Sequence, residues 1–331
     1  MSDREALIGT FLRKCGWGGV RRSKLAGDAS FRHYDRLARP GGHRAVLMDA
    51  PPPKEDVRPF VAIARHLESL GFSAPRVLGV DEANGLLLLE DLGDNTYTKL
   101  LSRAGHDEYA LYGLAVDVLA ALHGSPGAVP DGLAAYDDDR LMTEAMLLPD
   151  WYMPEMGRAV DEAARAEYAA LWRDTFPLAR LMPDTLVLRD FHVDNLILLP
   201  RDGVAACGLL DFQDAVVGPL TYDLMSLMED ARRDIDPGLV AAMRTRYLDA
   251  VPGLDPMAFE VSWAVLAAQR HAKVIGIFSR LCRRDGKSAY LTHIPRVWRL
   301  FEAALAHPAL EGVRGWVDRH MPPAERGVPT P

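Results

Sequence analysis

The sequence is short of cysteine, of long apolar runs and of excess positive charge. Its three cysteines, Cys15, Cys207 and Cys282, stand far apart in 331 residues. That spacing fits neither a disulfide framework nor a thiolate metal site, and it points to a reducing compartment. No apolar run approaches the roughly 20 residues that cross a bilayer, so no membrane role is expected. The stretch MSDREALIGTFLRKCGWGG carries acids and an amphipathic pattern, unlike a signal peptide. The formal net charge of −8 argues against nucleic acid as the main partner. Internal repeats and low-complexity tracts are absent too. These absences lead us to expect a cytoplasmic globular protein, with a monomer as the working expectation.

What is present is a change of pattern along the chain. Residues 5–15 read as a short helix, and residues 24–46 as two strands about the turn Arg39-Pro40-Gly41-Gly42. Val57, Phe60, Val61, Ala64, Leu67 and Leu70 recur at helical spacing and end at Gly71, a C-cap residue. Two short strands, 75–80 and 86–89, flank an Asn84-Gly85 hairpin turn. Beyond Thr96 the chain reads as helices over 107–123, 139–148, 159–180, 221–233, 236–249, 256–281 and 294–306, interrupted by a hairpin near 185–211. The tail after Met321, rich in Pro and Gly, is expected to fray. The spacing therefore predicts an α+β architecture: a sheet-rich N-terminal lobe, 1–93, and a larger helical C-terminal lobe, 94–331.

The chemistry concentrates in residues 185–214, TLVLRDFHVDNLILLPRDGVAACGLLDFQD. An apolar strand runs into a polar loop, a second apolar strand leaves it, and a turn around Arg201 to Gly203 returns the chain along a third. A hairpin folded about Gly203 puts Asn195 and Asp211 opposite each other at its open end, with Asp190 in the loop just before. A carboxylate and an amide oxygen suit Mg²⁺, which takes few protein ligands and completes its shell with phosphates and water. A separate carboxylate suits a general base for an attacking hydroxyl. Alone, Asp190 or Asn195 could be ordinary turn residues; the Asp-x4-Asn spacing followed by a strand-end Asp argues for phosphoryl transfer.

LRDFHVDNLIL resembles the catalytic loop of aminoglycoside phosphotransferases and choline kinases, and LLDFQDA resembles their metal-binding segment. The resemblance implies a bilobal protein-kinase-like fold, ATP as co-substrate, Asp190 as catalytic base, and Asn195 and Asp211 as Mg²⁺ ligands. GPLTYDL, at 218–224, is similar to the segment that follows the family's metal site, which implies that Asp223 holds the catalytic loop through hydrogen bonds. GDASFRHY, at 27–34, stands where a phosphate-covering loop is expected, and LLLLEDLG, at 86–93, looks like the last strand of the small lobe and the hinge, where adenine meets backbone from Glu90 to Leu92. Leu188-Arg189 replaces the His-Gly that often precedes the base. The third strand carries Met48 where related kinases have a phosphate-holding Lys, and the following helix has Phe60 to Ala64 where its partner Glu is expected. Losing both partners is coherent, because losing one would leave a buried unpaired charge. Arg32 is our candidate replacement at the nucleotide site, ahead of Arg36 and Arg44.

DAPPPKEDVRPFVAIARHL, LMTEAMLLPDWYM and QRHAKVIGIFSRLCRRDGKSAYL resemble one subgroup, the anomeric N-acetylmuramate/N-acetylglucosamine kinases of bacterial cell-wall recycling. That implies transfer of phosphate to the C1 hydroxyl of a small amino sugar. A sugar site needs acids and amides for hydroxyls and aromatic faces for C–H groups. Glu144, Asp150, Trp151, Tyr152 and Asp214 are candidates. Gln269 and Lys273 share a helix face at i,i+4, with Arg270 beside them; Arg270 or Lys273 could meet the lactyl carboxylate of N-acetylmuramate. Two rivals remain at this level. One keeps the fold and changes the acceptor to an aminoglycoside, for which Asp137-Asp138-Asp139 could line an acidic cleft, or to choline or another small alcohol. The other is a nucleotide-binding pseudokinase, motivated by the missing Lys and Glu. Arg283-Arg284 reads as surface charge and His192 as a packing residue.

Overall fold

A computed structural model describes residues 3–25, 31–103 and 105–330. Residues 26–30, most of the expected phosphate-covering loop, lie outside the described residues. The chain forms two compact units, one of Met1–Val118 with Val193–Ala215 and the other of Leu119–His192 with Val216–Pro331. Elements are numbered here in chain order.

The first unit is built on an antiparallel sheet of β1 (Arg21–Lys24), β2 (His33–Ala38), β3 (Arg44–Asp49), β4 (Val77–Asp81) and β5 (Leu86–Glu90), in the order β1-β2-β3-β5-β4. Alternate residues point to one face. Leu37, Ala45, Leu47, Leu86 and Leu88 thus pack with Ile8, Phe11, Leu12 and Trp17, the first three from helix α1 (Asp3–Lys14). Helix α2 (Arg58–Ser69) buries Phe60, Val61, Ile63, Ala64 and Leu67, and Phe60 stacks on Phe212 with ring centroids 5.0 Å apart. It ends as expected at Gly71, whose φ of 86° suits only glycine comfortably. The Asn84-Gly85 turn is also present: Gly85 has φ 62°, and a Cβ there would stand 2.0 Å from the Ala50 carbonyl oxygen.

Helix α3 (Tyr97–Leu101) and the hairpin of β7 (Leu196–Leu198) and β8 (Cys207–Leu209) complete this unit. The hairpin is tied to the sheet and its continuation. Leu209 N–H donates to the Ser73 carbonyl (2.9 Å), Leu198 N–H to that of Asn95 (2.9 Å), and Arg201 reaches both Ser73 Oγ (2.8 Å) and Glu90 Oε1 (2.7 Å). Through these ties residues 193–215 group with the N-terminal sheet.

Helix α4 (Glu108–His123) carries the chain from the first unit into the second, the change falling at Val118/Leu119. The second unit contains α5 (Asp138–Ala145), a π-helical turn (Leu148–Tyr152), α6 (Met153–Glu155) and α7 (Glu162–Ala179). The two-stranded sheet of β6 (Asp184–Val187) and β9 (Val216–Pro219) follows, then α8 (Thr221–Met228), α9 (Pro237–Ala250), α10 (Pro256–Asp285), α11 (Ile294–Leu305) and α12 (Glu311–His320). Helix α10 is the axis of this unit. Its 30 residues span about 45 Å at 1.5 Å each, and it touches α5, the π turn, α7, α8 and α11. Asp255 caps its start, accepting from Met257 N–H (2.8 Å), and Gly286 ends it at φ 67°. Ser262 in α10 donates to the Ala179 carbonyl at the end of α7 and meets Thr221 of α8, both at 2.7 Å.

Arg326 and Gly327 of the tail are tied down. Tyr152 donates its hydroxyl to the Gly327 carbonyl (2.8 Å), and Arg326 donates to the Met321 carbonyl (3.0 Å), pairs with Glu302 (2.6 Å) and lies over the Trp298 ring. A buried phenol and a large apolar ring hold a segment whose Pro and Gly content alone suggests mobility.

Helix α10 approaches the π turn closely because Gly276 has no side chain: a Cβ there would lie 2.3 Å from the carbonyl carbon and oxygen of Leu147. Gly276→Ala is expected to cost about 1–3 kcal/mol, as overpacking does. Urea unfolding checks this, and an unchanged midpoint would show that α10 can retreat at no cost.

Candidate active site

The candidate residues fall into one group in each unit. In the first unit, Leu196 pairs with Leu209, and Leu210 N–H donates to the Asn195 carbonyl (2.9 Å). Asn195 and Asp211 therefore flank the open end of the hairpin, as its spacing predicts. Thr98 donates to the Asp194 carboxylate, bracing the residue beside Asn195. Asp211 has φ 59°, a left-handed conformation unusual outside glycine. Its Oδ1 accepts from Gln213 Nε2 (2.9 Å) and lies 3.3 Å from Arg32 Nη2. Arg32 is buried, and its Nε is 3.8 Å from Glu55 Oε2. Asp214 is exposed and accepts from Gln213 (3.3 Å).

The hinge segment is held by charge. Arg36 of β2 meets Asp91 (2.7 Å) and Asp94 (2.8 Å), so this arginine braces the hinge. The Glu90 side chain binds Arg201 and Arg76, and Leu92 packs with Ile197, Leu199 and Leu210 in a small apolar cluster. Met48 is buried in β3, opposite Tyr34 and Leu87.

Asn195 and Asp211 supply one amide oxygen and one carboxylate. Among the described residues no group of three or more His, Cys, Asp or Glu could hold a metal by itself. Such a hard and incomplete donor set fits Mg²⁺ bound together with phosphates and does not fit a closed zinc site.

In the second unit, β6 leads into Asp190. Asp223, buried at the start of α8, accepts from the backbone N–H of Leu188 (2.6 Å) and Arg189 (2.9 Å), the loop-holding role its segment implied. Burial pushes its carboxyl up to about 7 against those two hydrogen bonds. Arg189 has φ 70°, which explains why glycine is at home at this position in related loops.

Around the loop lies a buried polar network. Glu144 Oε1 accepts from Lys273 Nζ (2.8 Å) and from Arg189 Nη2; Oε2 accepts from Gln269 Nε2 (3.2 Å) and from the Tyr136 hydroxyl. The Tyr136 oxygen can accept in turn from the Tyr222 hydroxyl (3.2 Å). Arg270 donates to the Tyr222 oxygen (2.9 Å) and to the Arg189 carbonyl (3.3 Å). Buried polar groups cost little only when partnered; here one link leads to the next, and Gln269 Oε1 is left without a hydrogen-bond partner among the described residues.

Electrostatics follow from this packing. Burial alone would raise the Glu144 carboxyl, but Lys273 and Arg189 hold it at about 2. Burial likewise opposes ionisation of Asp190, and Lys273, Arg270 and Arg189 outweigh it, keeping the carboxyl below its ordinary range. Burial and the nearby Arg232 lower His192 to about 4, so it is neutral near pH 7.

The substrate candidates separate. Glu144, Gln269, Arg270 and Lys273 are together, but Glu144 and Gln269 are engaged with protein groups, and Arg270 supports the loop backbone. Tyr152 is fully buried against Trp298, with its hydroxyl on Gly327, which gives it a core role. Trp151 is half-buried in the π turn, and Asp150 pairs with Arg165. Asp137 caps α5 through Arg140 N–H (2.9 Å) and Asp138 pairs with Arg180 (2.6 Å), so the acidic run starts a helix. Sequence reasoning passed over two residues, Arg189 and Glu55. Arg189 was signalled by its place before Asp190. Nothing marks Glu55 apart from its nearness to α2.

A sheet-based unit with an Asn/Asp hairpin end, and a helical unit that presents a half-buried Asp on a braced loop, define a protein-kinase-like phosphotransferase. The model of the phosphotransferase enzyme family matches residues 22–259, and the chain belongs to that family. A Caulobacter vibrioides protein named N-acetylmuramate/N-acetylglucosamine kinase is 40% identical over 97% of this chain and 98% of its own length. A Pseudomonas aeruginosa protein of the same name is 41% identical over 88% of this chain and 86% of its own length. Among solved structures, a choline/ethanolamine kinase family protein from Mesorhizobium loti superposes with a TM-score of 0.63 at 16% identity, covering 95% of this chain and 99% of that one. An ADP-bound aminoglycoside phosphotransferase gives a TM-score of 0.58, also at 16% identity, covering 92% of this chain and 98% of that one. At such identity these two report the fold.

A carboxyl depressed in the folded state stabilises above its unfolded value and loses that contribution as pH falls through its folded value. For Glu144 the window runs from 4.5 down to about 2, and a shift of that size corresponds to about 3 kcal/mol. Glu144→Gln should lower stability at pH 7 and remove this part of the acid slope. Urea unfolding at stepped pH reads the difference; parallel slopes for both proteins would refute it.

Proposed function

We propose that the chain is an ATP-dependent sugar kinase that phosphorylates the C1 hydroxyl of N-acetylmuramate, N-acetylglucosamine or both, in the cytoplasm, as a monomer, within peptidoglycan recycling. One observation carries the reading: a half-buried Asp190, its carboxyl held below the ordinary range by Lys273, Arg270 and Arg189, on a loop whose backbone Asp223 fixes. The names of the relatives at 40% and 41% identity support the amino sugar.

In this reading Asp190 orients the sugar hydroxyl and accepts its proton as the γ-phosphoryl group transfers. An anomeric hydroxyl is more acidic than other sugar hydroxyls, so a weak base suffices. Positioning and charge neutralisation then provide most of the rate. Asn195 and Asp211 would hold Mg²⁺, which when bound neutralises phosphate charge. The apolar cluster of Leu92, Ile197, Leu199 and Leu210 offers a surface for adenine, beside the hinge backbone from Glu90 to Leu92. Arg32, next to Asp211, is the nucleotide-site cation. Trp151 and Asp214 remain candidates for the sugar.

The basic side chains also bear on the acceptor. Arg189, Arg270 and Lys273 near Asp190 disfavour a polycationic aminoglycoside and suit an anionic sugar. Arg270 is committed to Tyr222 and the loop, so Lys273, with three donors, is the better match for the lactyl carboxylate.

Phosphorus NMR of a reaction with Mg-ATP and either amino sugar should give a sugar 1-phosphate, and Asp190→Asn should lower turnover about 10²–10⁴-fold while ADP still binds. Equal turnover in the variant would remove Asp190 as base; transfer only to kanamycin or choline would overturn the acceptor.

Lys273→Met should cut kcat/KM for N-acetylmuramate about tenfold more than for N-acetylglucosamine, the scale of one charged hydrogen bond. Equal losses for the two sugars would rule out a carboxylate contact.

A further inference from the structure

Related kinases hold phosphates with a strand Lys paired to a helix Glu. Neither place is open to charge here. Met48 is 1% exposed within β3, and the corresponding face of α2 is buried apolar surface, with Phe60 stacked on Phe212. A buried cation stands elsewhere in the same unit. Arg32 directly precedes β2, is 8% exposed, and directs Nη2 at Asp211 Oδ1 (3.3 Å) and Nε at Glu55 Oε2 (3.8 Å). Glu55 also accepts from the backbone N–H of Phe31 through Oε1 (3.1 Å). One carboxylate therefore grips both the guanidinium and the backbone at the point where the chain enters β2.

We infer that Glu55 and Arg32 form the phosphate-holding ion pair of the nucleotide site, with Glu55 as the positioning residue; this rests on the kinase reading above. A guanidinium cannot shed its charge, and few anions can satisfy it once it is out of water. Among the described residues, Glu55 and Asp211 are carboxylates that face it. A metal-bound phosphate sharing Asp211 would come within reach of the same fork of donors, which matches phosphate geometry. Glu55 fixes where the fork points. The arrangement moves the pair from strand and helix to the two chain segments that lead into β2 and α2.

Calorimetry with Mg-ADP and with adenosine tests this, since adenosine has no phosphate. Glu55→Gln and Arg32→Met should each weaken Mg-ADP about 5- to 20-fold and leave adenosine within twofold. Arg32→Lys should recover part of the loss, and the double variant should be no weaker than the worse single one. Mg-ADP binding that is unchanged, that falls in step with adenosine, or that falls multiplicatively in the double variant would overturn the pair. A wild-type chain that binds neither ligand would instead overturn the nucleotide reading itself.

Discussion

Glu144 receives two cations, an amide and a phenol on its two oxygens, and the surroundings of Asp190 depend on that saturation. Removing the carboxylate would leave Lys273 and Arg189 facing each other without a counter-ion, next to a base that must stay ionised. Breaking a buried pair on one side costs several times more than the pair contributes as a whole. The network therefore behaves as one unit. Tyr136 and Tyr222 relay it to Arg270, and Arg270 returns it to the loop through the Arg189 carbonyl.

Two backbone conformations are held against their preference. Arg189 and Asp211 both adopt positive φ, at a cost of order 1–3 kcal/mol each. Each neighbours a residue central to the proposed chemistry or is one. Arg189 is clamped at both ends, by Asp223 on its N–H and Glu144 on its guanidinium. At Asp211, hairpin pairing just before it and the Phe212–Phe60 stack just after it fix the chain. The strain persists because packing on either side over-determines it.

Much of this was legible in the sequence, for identifiable reasons. Helix α2 and the strands about Asn84-Gly85 follow from apolar spacing and turn chemistry, which are local. The hairpin carrying Asn195 and Asp211 follows from strand lengths about one turn. The role of Asp223 came through resemblance, since no local pattern announces a carboxylate that reaches 34 and 35 residues back to backbone amides. What stayed hidden is non-local. Glu144 and Gln269 were read as sugar ligands because an acid and an amide look available until their four partners are seen. Tyr152 looked like a stacking face, and the π turn that rotates it inward has no sequence mark. Short helix α12 escaped notice beside a tail whose composition suggested disorder.

That tail has a consequence for how the protein is handled. The Gly327 carbonyl is the acceptor for the buried hydroxyl of Tyr152, and Arg326 roofs Trp298. A chain cut at Met321 would leave the phenol without an acceptor and uncover an indole, some 170 residues along the chain from the π turn that feels the loss. Arg326 and Gly327 thus act as a latch across the π turn and α11, two elements that pack on α10.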